Sequence, residues 1–79
     1  MIVKILGPVS RQSLDVEWID VATTQGSHII MPGHAPFTVQ IAPNTQLALG
    51  LLGGATKSIP ITNGILHVDR NAAMVILDE

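Results

Sequence analysis

This chain predicts an all-β fold, a two-sheet β-sandwich of about eight to ten short strands. Three observations carry that expectation. Turn-forming residues punctuate the sequence at about the eight-to-twelve-residue spacing of sandwiches and barrels. The apolar residues between them alternate with polar ones, the two-residue period of a half-buried strand. No segment of useful length carries a helical period. The turn signals are Gly7-Pro8, Gln25-Gly26-Ser27, Pro32-Gly33, Pro43-Asn44, Gly53-Gly54, Asn63-Gly64 and Arg70-Asn71.

The opening strand runs from Ile2 to Leu6 and stops at Gly7-Pro8, because proline fixes φ and offers no N–H to a ladder. In the second segment, Leu14 to Ala22, Leu14, Val16 and Trp18 alternate with Asp15 and Glu17, and then Ile19 and Val21 take over the apolar role. A one-residue slip sends the apolar set to the other face, so a β-bulge is expected near Trp18. A glycine-containing turn at Gly26 precedes the proline-bounded loop Pro32 to Pro36. Phe37, Val39 and Ile41 then alternate with Thr38 and Gln40, and Leu47, Leu49 and Leu51 repeat the pattern. Asn63-Gly64 lies between Ile59-Pro60-Ile61-Thr62 and Ile65-Leu66-His67-Val68. Asn-Gly is the strongest two-residue hairpin signal because both positions accept φ > 0, so a hairpin is expected here. Pro60 places its strand at an edge or a bulge. Ala72 to Leu77 is apolar throughout, which predicts a strand covered on both faces. Asp78 and Glu79 form an acidic tail.

At 79 residues the chain is expected to be one domain, 1–79. A chain this short buries only about 60–65% of its unfolded surface. There is no cysteine, hence no disulfide and no thiol chemistry. No apolar run approaches the roughly 18 residues of a membrane span, and the N-terminus reads as neither signal nor transit peptide. A soluble, unexported protein is expected. Net charge is −2, with four Lys and Arg and two aromatics, Trp18 and Phe37. Phosphate binding needs cations and base stacking needs rings, so nucleic acid is excluded as a partner. Hydrophobic residues make up 47% of the chain and charged ones 13%. Such sparse charge on a small domain implies apolar surface that partners cover.

Catalytic and ligand-binding patterns are thin. His28, His34 and His67 lack the close pairing of a zinc site and have no cysteine beside them. Ser10, Ser13, Ser27 and Ser58 lie outside any nucleophile-elbow context. Asp15 and Glu17 alternate with apolar residues and read as a solvated strand face. Gly50, Gly53 and Gly54 lead into no Gly-Lys-Ser/Thr run or helix, so they are no phosphate loop. No catalysis, metal, cofactor or nucleotide is expected. Lys57 is a candidate for the swinging lysine of a lipoyl or biotinyl carrier, but it has neither flanking motif and is expected to open a strand.

Met31-Pro32-Gly33-His34-Ala35-Pro36 is the most specific stretch. It resembles the Pro-Gly-His-Ala-Pro loop in the N-terminal β-sandwich of the epsilon subunit of the F-type rotary ATP synthase. The resemblance extends in order through Ile2 to Leu6, Leu14 to Ala22, Gly26, Pro43-Asn44, Asn63-Gly64 and Val75 to Glu79. Asn44 and Asn63 stand where the family commonly has glycine, and asparagine tolerates left-handed backbone best among the others. Ile29 replaces a usual glycine and Ser27 a frequent acidic residue. The family commonly continues into two C-terminal helices, whereas this sequence ends at Glu79, and a natural short form is expected. The resemblance implies a non-catalytic central-stalk subunit that couples the gamma subunit to the c-ring during proton-driven ATP synthesis. Its location would be peripheral, at the cytoplasmic face of the bacterial inner membrane, with no direct membrane insertion. It implies gamma-side contacts at His34, Ala35, Pro36, Phe37, Val39 and Ile41, and ring-side contacts at Gln25, Gly26, Ser27 and His28. Pro32 and Gly33 would shape the loop. Where the family binds ATP, the C-terminal helices largely form the site, so no nucleotide is implied. The alternative reading is a β-sandwich carrier or protein-interaction module unrelated to ATP synthase.

Overall fold

The computed structural model describes residues 1–78, and Glu79, the last residue of the expected acidic tail, lies outside them. Eight strands follow one another: β1 (Ile2–Leu6), β2 (Arg11–Thr23), β3 (Gly26–Ile30), β4 (Phe37–Ile41), β5 (Thr45–Leu51), β6 (Thr56–Ile61), β7 (Asn63–Val68) and β8 (Ala72–Asp78). They make two layers that share the long strand β2. The first half of β2 pairs with β1, which runs parallel to β8, and β7 and β4 complete that layer. The second half of β2 pairs with β5 on one side and β3 on the other, and β6 closes the outer side of β5. The changeover falls where the alternation slips. Val16 opposes Leu51 while Trp18 opposes Gly50, so Glu17 is the extra residue of a bulge. The expected bulge near Trp18 is present, and it lets β2 serve both sheets.

The inward side chains of the two layers meet in one core. Val3, Ile5, Val39, Ile41, Leu66, Val68, Ala73 and Val75 come from the first layer. Val16, Ile19, Val21, Ile30, Leu47, Leu49 and Ile61 come from the second. Burying each Val, Ile or Leu contributes about 1.5–3 kcal/mol, which offsets the chain entropy lost on folding. The N-terminal ammonium is tied to the Asp15 carboxylate at 3.2 Å and to the Val16 carbonyl at 3.1 Å, extending the β1–β2 pairing to the first residue.

One turn residue and one strand residue sit where their chemistry predicts. Asn44 holds φ +59°, the left-handed conformation expected of it, and Pro60 lies in β6 at the free edge of its sheet. Other expectations are corrected. Asn63-Gly64 does not turn a hairpin, because β6 pairs only with β5 while β7 pairs with β4 and β8. The chain changes sheets at Thr62, and both residues continue as strand. Glycine is needed there for closeness: a Cβ at Gly64 would sit 3.0 Å from the Ile76 carbonyl oxygen. Strand β8 is covered on one face only, with Ala73 and Val75 buried and Ile76 48% exposed. The segment after Gly26 is strand β3 as well as turn.

Candidate partner-docking site

The proline-bounded loop between β3 and β4 is held by its backbone. The Gly33 N–H donates to the Arg70 carbonyl at 2.6 Å, tying the loop to the β7–β8 turn, and the His34 N–H donates to the Met31 carbonyl at 3.2 Å. Gly33 has φ +89°, with no heavy atom within 4 Å of where a Cβ would stand. It is required for conformation and not for space. Pro32 and Pro36 restrict the two ends. All of Pro32, Gly33, Ala35 and Pro36 are exposed, and His34 is half-buried.

The imidazole of His34 is also fixed. Its Nδ1 lies 2.7 Å from the Ala35 carbonyl. A carbonyl only accepts, so Nδ1 is the donor in this bond. The ring packs 5.0 Å, centroid to centroid, from Phe37, tilted by 44°. The His28 ring approaches the same Phe37 at 5.9 Å and 51°. Phe37 at the head of β4 therefore joins a residue of β3 to the loop. Two groups expected to face different partners share one aromatic contact.

The remaining ring-side residues sit on the β2–β3 turn. The Thr23 hydroxyl donates to the Gly26 carbonyl at 2.6 Å and accepts the Gln25 N–H at 3.0 Å. Two bonds through one buried hydroxyl stiffen the turn, which presents Gln25, Gly26 and Ser27 to solvent.

Val39 and Ile41 leave the expected gamma-side set. They are 7% and 1% exposed, and their side chains belong to the core. In a strand successive side chains point to opposite faces, so Thr38 and Gln40 face outward instead. They border a groove of about 600 Å³ on the outer face of β4, β7 and β8, completed chiefly by Gly64, Ile65 and Ile76. Ile65 and Ile76 are direct cross-strand neighbours, 47% and 48% exposed. At one side of that groove the Thr38 hydroxyl and His67 Nδ1 share a hydrogen bond at 2.7 Å, and His67 Nε2 lies 3.5 Å from Asp69. The sequence signal for this face is the unbroken apolar run of β8, whose outward half reads, without the pairing, as a second buried face. Among the described residues no cluster of three His, Cys, Asp or Glu could hold a metal ion, and no helix is long and apolar enough to cross a membrane.

A small sandwich with one clamped loop, one stiff turn and an open apolar face is the architecture of a β-sandwich docking domain. The chain belongs to the family described as ATP synthase, Delta/Epsilon chain, beta-sandwich domain, matched over residues 2–79. It is similar in structure to a chain of the Euglena gracilis mitochondrial ATP synthase, seen in an assembly of OSCP, F1 and c-ring. The TM-score is 0.89 and the identity 21%, covering 98% of this chain and 49% of that one. A chain of the Tetrahymena thermophila mitochondrial ATP synthase, from its central stalk and c-ring, matches with TM-score 0.81 and 16% identity. There the match covers 100% of this chain and 63% of the other. At these identities the likeness is one of fold. The chain spans about half of the first relative and under two thirds of the second. No curated protein sequence matches it.

Proposed function

We propose that residues 1–79 act as the non-catalytic sandwich of a central-stalk subunit of a rotary ATP synthase, joining the gamma subunit to the c-ring. The observation that carries this reading is the family match along residues 2–79; the stalk and ring context of the structural relatives supports it. The physics fits the role. A joint that passes torque must be stiff, and packed sheets deform little. On this reading His34, Ala35, Pro36 and Phe37 meet gamma, while Gln25, Gly26 and Ser27 meet the ring and His28 bridges to the loop. The preset loop loses little entropy when it docks.

The proposed location is peripheral, at the cytoplasmic face of a bacterial inner membrane. The stalk and ring context of the two relatives supports the peripheral placement; both are mitochondrial, so neither supports the bacterial one. Size-exclusion chromatography of the chain with the gamma subunit from the same source tests the assignment. Co-elution at micromolar concentration is expected, since stable specific interfaces persist there. Separate elution of two folded proteins would refute it.

A further inference from the structure

The two free edges of the second sheet are built differently. An open edge is a row of unpaired backbone groups, and proteins guard such rows with proline or charge. The β6 edge has both, in Pro60 and Lys57, whose Nζ reaches the Gln12 carboxamide at 3.2 Å. The β3 edge, Gly26-Ser27-His28-Ile29-Ile30, has no proline, lysine or acidic residue.

The pattern of backbone bonds fixes which groups of β3 face outward. The Ala22 carbonyl accepts the Ala42 N–H at 2.9 Å and the Thr24 N–H donates to the Gln40 carbonyl at 3.1 Å. Ala22 and Thr24 therefore turn toward β4. By alternation Thr23, Val21 and Ile19 turn toward β3, opposite Gly26, His28 and Ile30. The N–H and C=O of Ser27 and Ile29 are left on the outer edge.

The surface beside this edge is apolar with one acid. Ile29 is 66% and Met31 58% exposed. With Trp18 and Asp20 they line a groove of about 290 Å³. Trp18 is held flat over Gly50, where a Cβ would overlap its indole. None of the four cations of the chain, Lys4, Arg11, Lys57 and Arg70, lines the groove. Asp20 opposes Ile29 across β2 and β3, so it lies two strand spacings, about 10 Å, from a strand added beyond β3. A lysine or arginine on that strand can lay its stem across Ile29 and bring its charge to Asp20.

We infer that β3 is a receptor edge for an extended segment of a partner protein. That segment adds as a strand beside Ser27 and Ile29, sets an apolar side chain against Met31 and Trp18, and pairs a cation with Asp20. Main-chain bonds give such docking its affinity, and the side-chain positions give its specificity. A second copy of this chain is a poor occupant, because its own β3 brings no cation to Asp20. The edge shares Ser27 with the turn proposed to meet the ring, whereas Ile29, Met31, Trp18 and Asp20 lie outside that set, so a peptide titrated against the chain alone reads the edge apart from ring binding.

Trp18 is the sole tryptophan and reports on the groove directly. The probe is a blocked six-residue peptide, valine-threonine-lysine-threonine-valine-threonine, titrated against the whole chain. A saturable blue shift of Trp18 emission is expected. A peptide N-methylated at alternate amides should bind at least tenfold more weakly. Ile29→Lys, which installs a charge guard on an exposed position, and Ser27→Pro, which removes an outward N–H without touching the β2 ladder, should each cost at least tenfold. Asp20→Asn should cost about threefold and abolish the salt dependence. Should Ser27→Pro fail to fold, the N-methylated peptide on the unaltered chain decides the same point. Equal binding of the N-methylated peptide, no shift up to millimolar peptide, or a chain dimer in sedimentation that Ile29→Lys dissolves would each overturn the inference.

Discussion

Replacing Gly33 separates the shape of the docking loop from its surface. The residue sits at φ +89°, with nothing within 4 Å of the position a Cβ would take. Volume is free there, so only backbone conformation resists substitution. An L-residue in left-handed backbone costs roughly 1–2 kcal/mol, asparagine less, and a β-branched residue up to about 3 kcal/mol. The expected order of damage is therefore asparagine, then alanine, then valine, although asparagine is larger than alanine. In a domain of this size each kcal/mol moves the melting temperature by about 4–8 °C. Gly33→Ala should melt about 5–15 °C below the parent and Gly33→Val lower still, while Gly33→Asn stays within a few degrees. Thermal unfolding followed by circular dichroism reads the order. Amide exchange at residue 33 reads the bond to Arg70, which should loosen in the same order. A ranking by side-chain volume, or three unchanged variants, would refute the reasoning.

Three further outcomes are expected. Ile41→Ala opens a cavity at a site 1% exposed and should cost about 2–5 kcal/mol by denaturant titration, a large part of the total for so small a domain. Gly50→Ala should destabilise through its overlap with the Trp18 indole, and a double-mutant cycle with Trp18→Ala should show coupling of about 0.5–3 kcal/mol, the range for residues in contact. His34→Ala removes one hydrogen bond and one ring contact; it should lower stability by about 1–2 kcal/mol and, if the ring also meets gamma, weaken that binding by a further 1–2 kcal/mol or so. Melting temperature and gamma affinity measured on the same variant separate the two losses.

The alternation of apolar residues makes the strands legible, and the phase slip after Trp18 marks the bulge before any pairing is known. Proline and asparagine are legible for the same reason: Pro60 restricts where a strand can lie, and Asn44 accepts one unusual conformation. What stays hidden depends on pairing. Asn63-Gly64 has the local chemistry of a hairpin, but β6 finds its partner in β5, and β7 finds its partners in β4 and β8. Gly64 then serves close packing against Ile76 and not a turn. Strand β3 is five residues long beside a loop signal, and Ile29-Ile30 is its only β-rich feature. The docking loop is visible from its prolines and Gly33. The inward direction of Val39 and Ile41 is visible too, since their alternation with Thr38 and Gln40 already assigns one face to the core. The meeting of His28 and His34 on Phe37 is not, because it joins residues from two strands and a loop.

The proposed role requires the Pro32–Pro36 loop and the β2–β3 turn to face different stalk partners, and cross-linking tests that division most directly. The chain has no cysteine, so single cysteines can be placed without background. Ala35→Cys, Ser27→Cys and, as a control on β6, Thr56→Cys should each be carried into the assembled ATP synthase and cross-linked over a short span. The expected result is a covalent product with gamma from Ala35→Cys, a product with the c-ring from Ser27→Cys, and neither from Thr56→Cys. Assembly of all three variants with no product from Ala35→Cys or Ser27→Cys would contradict it.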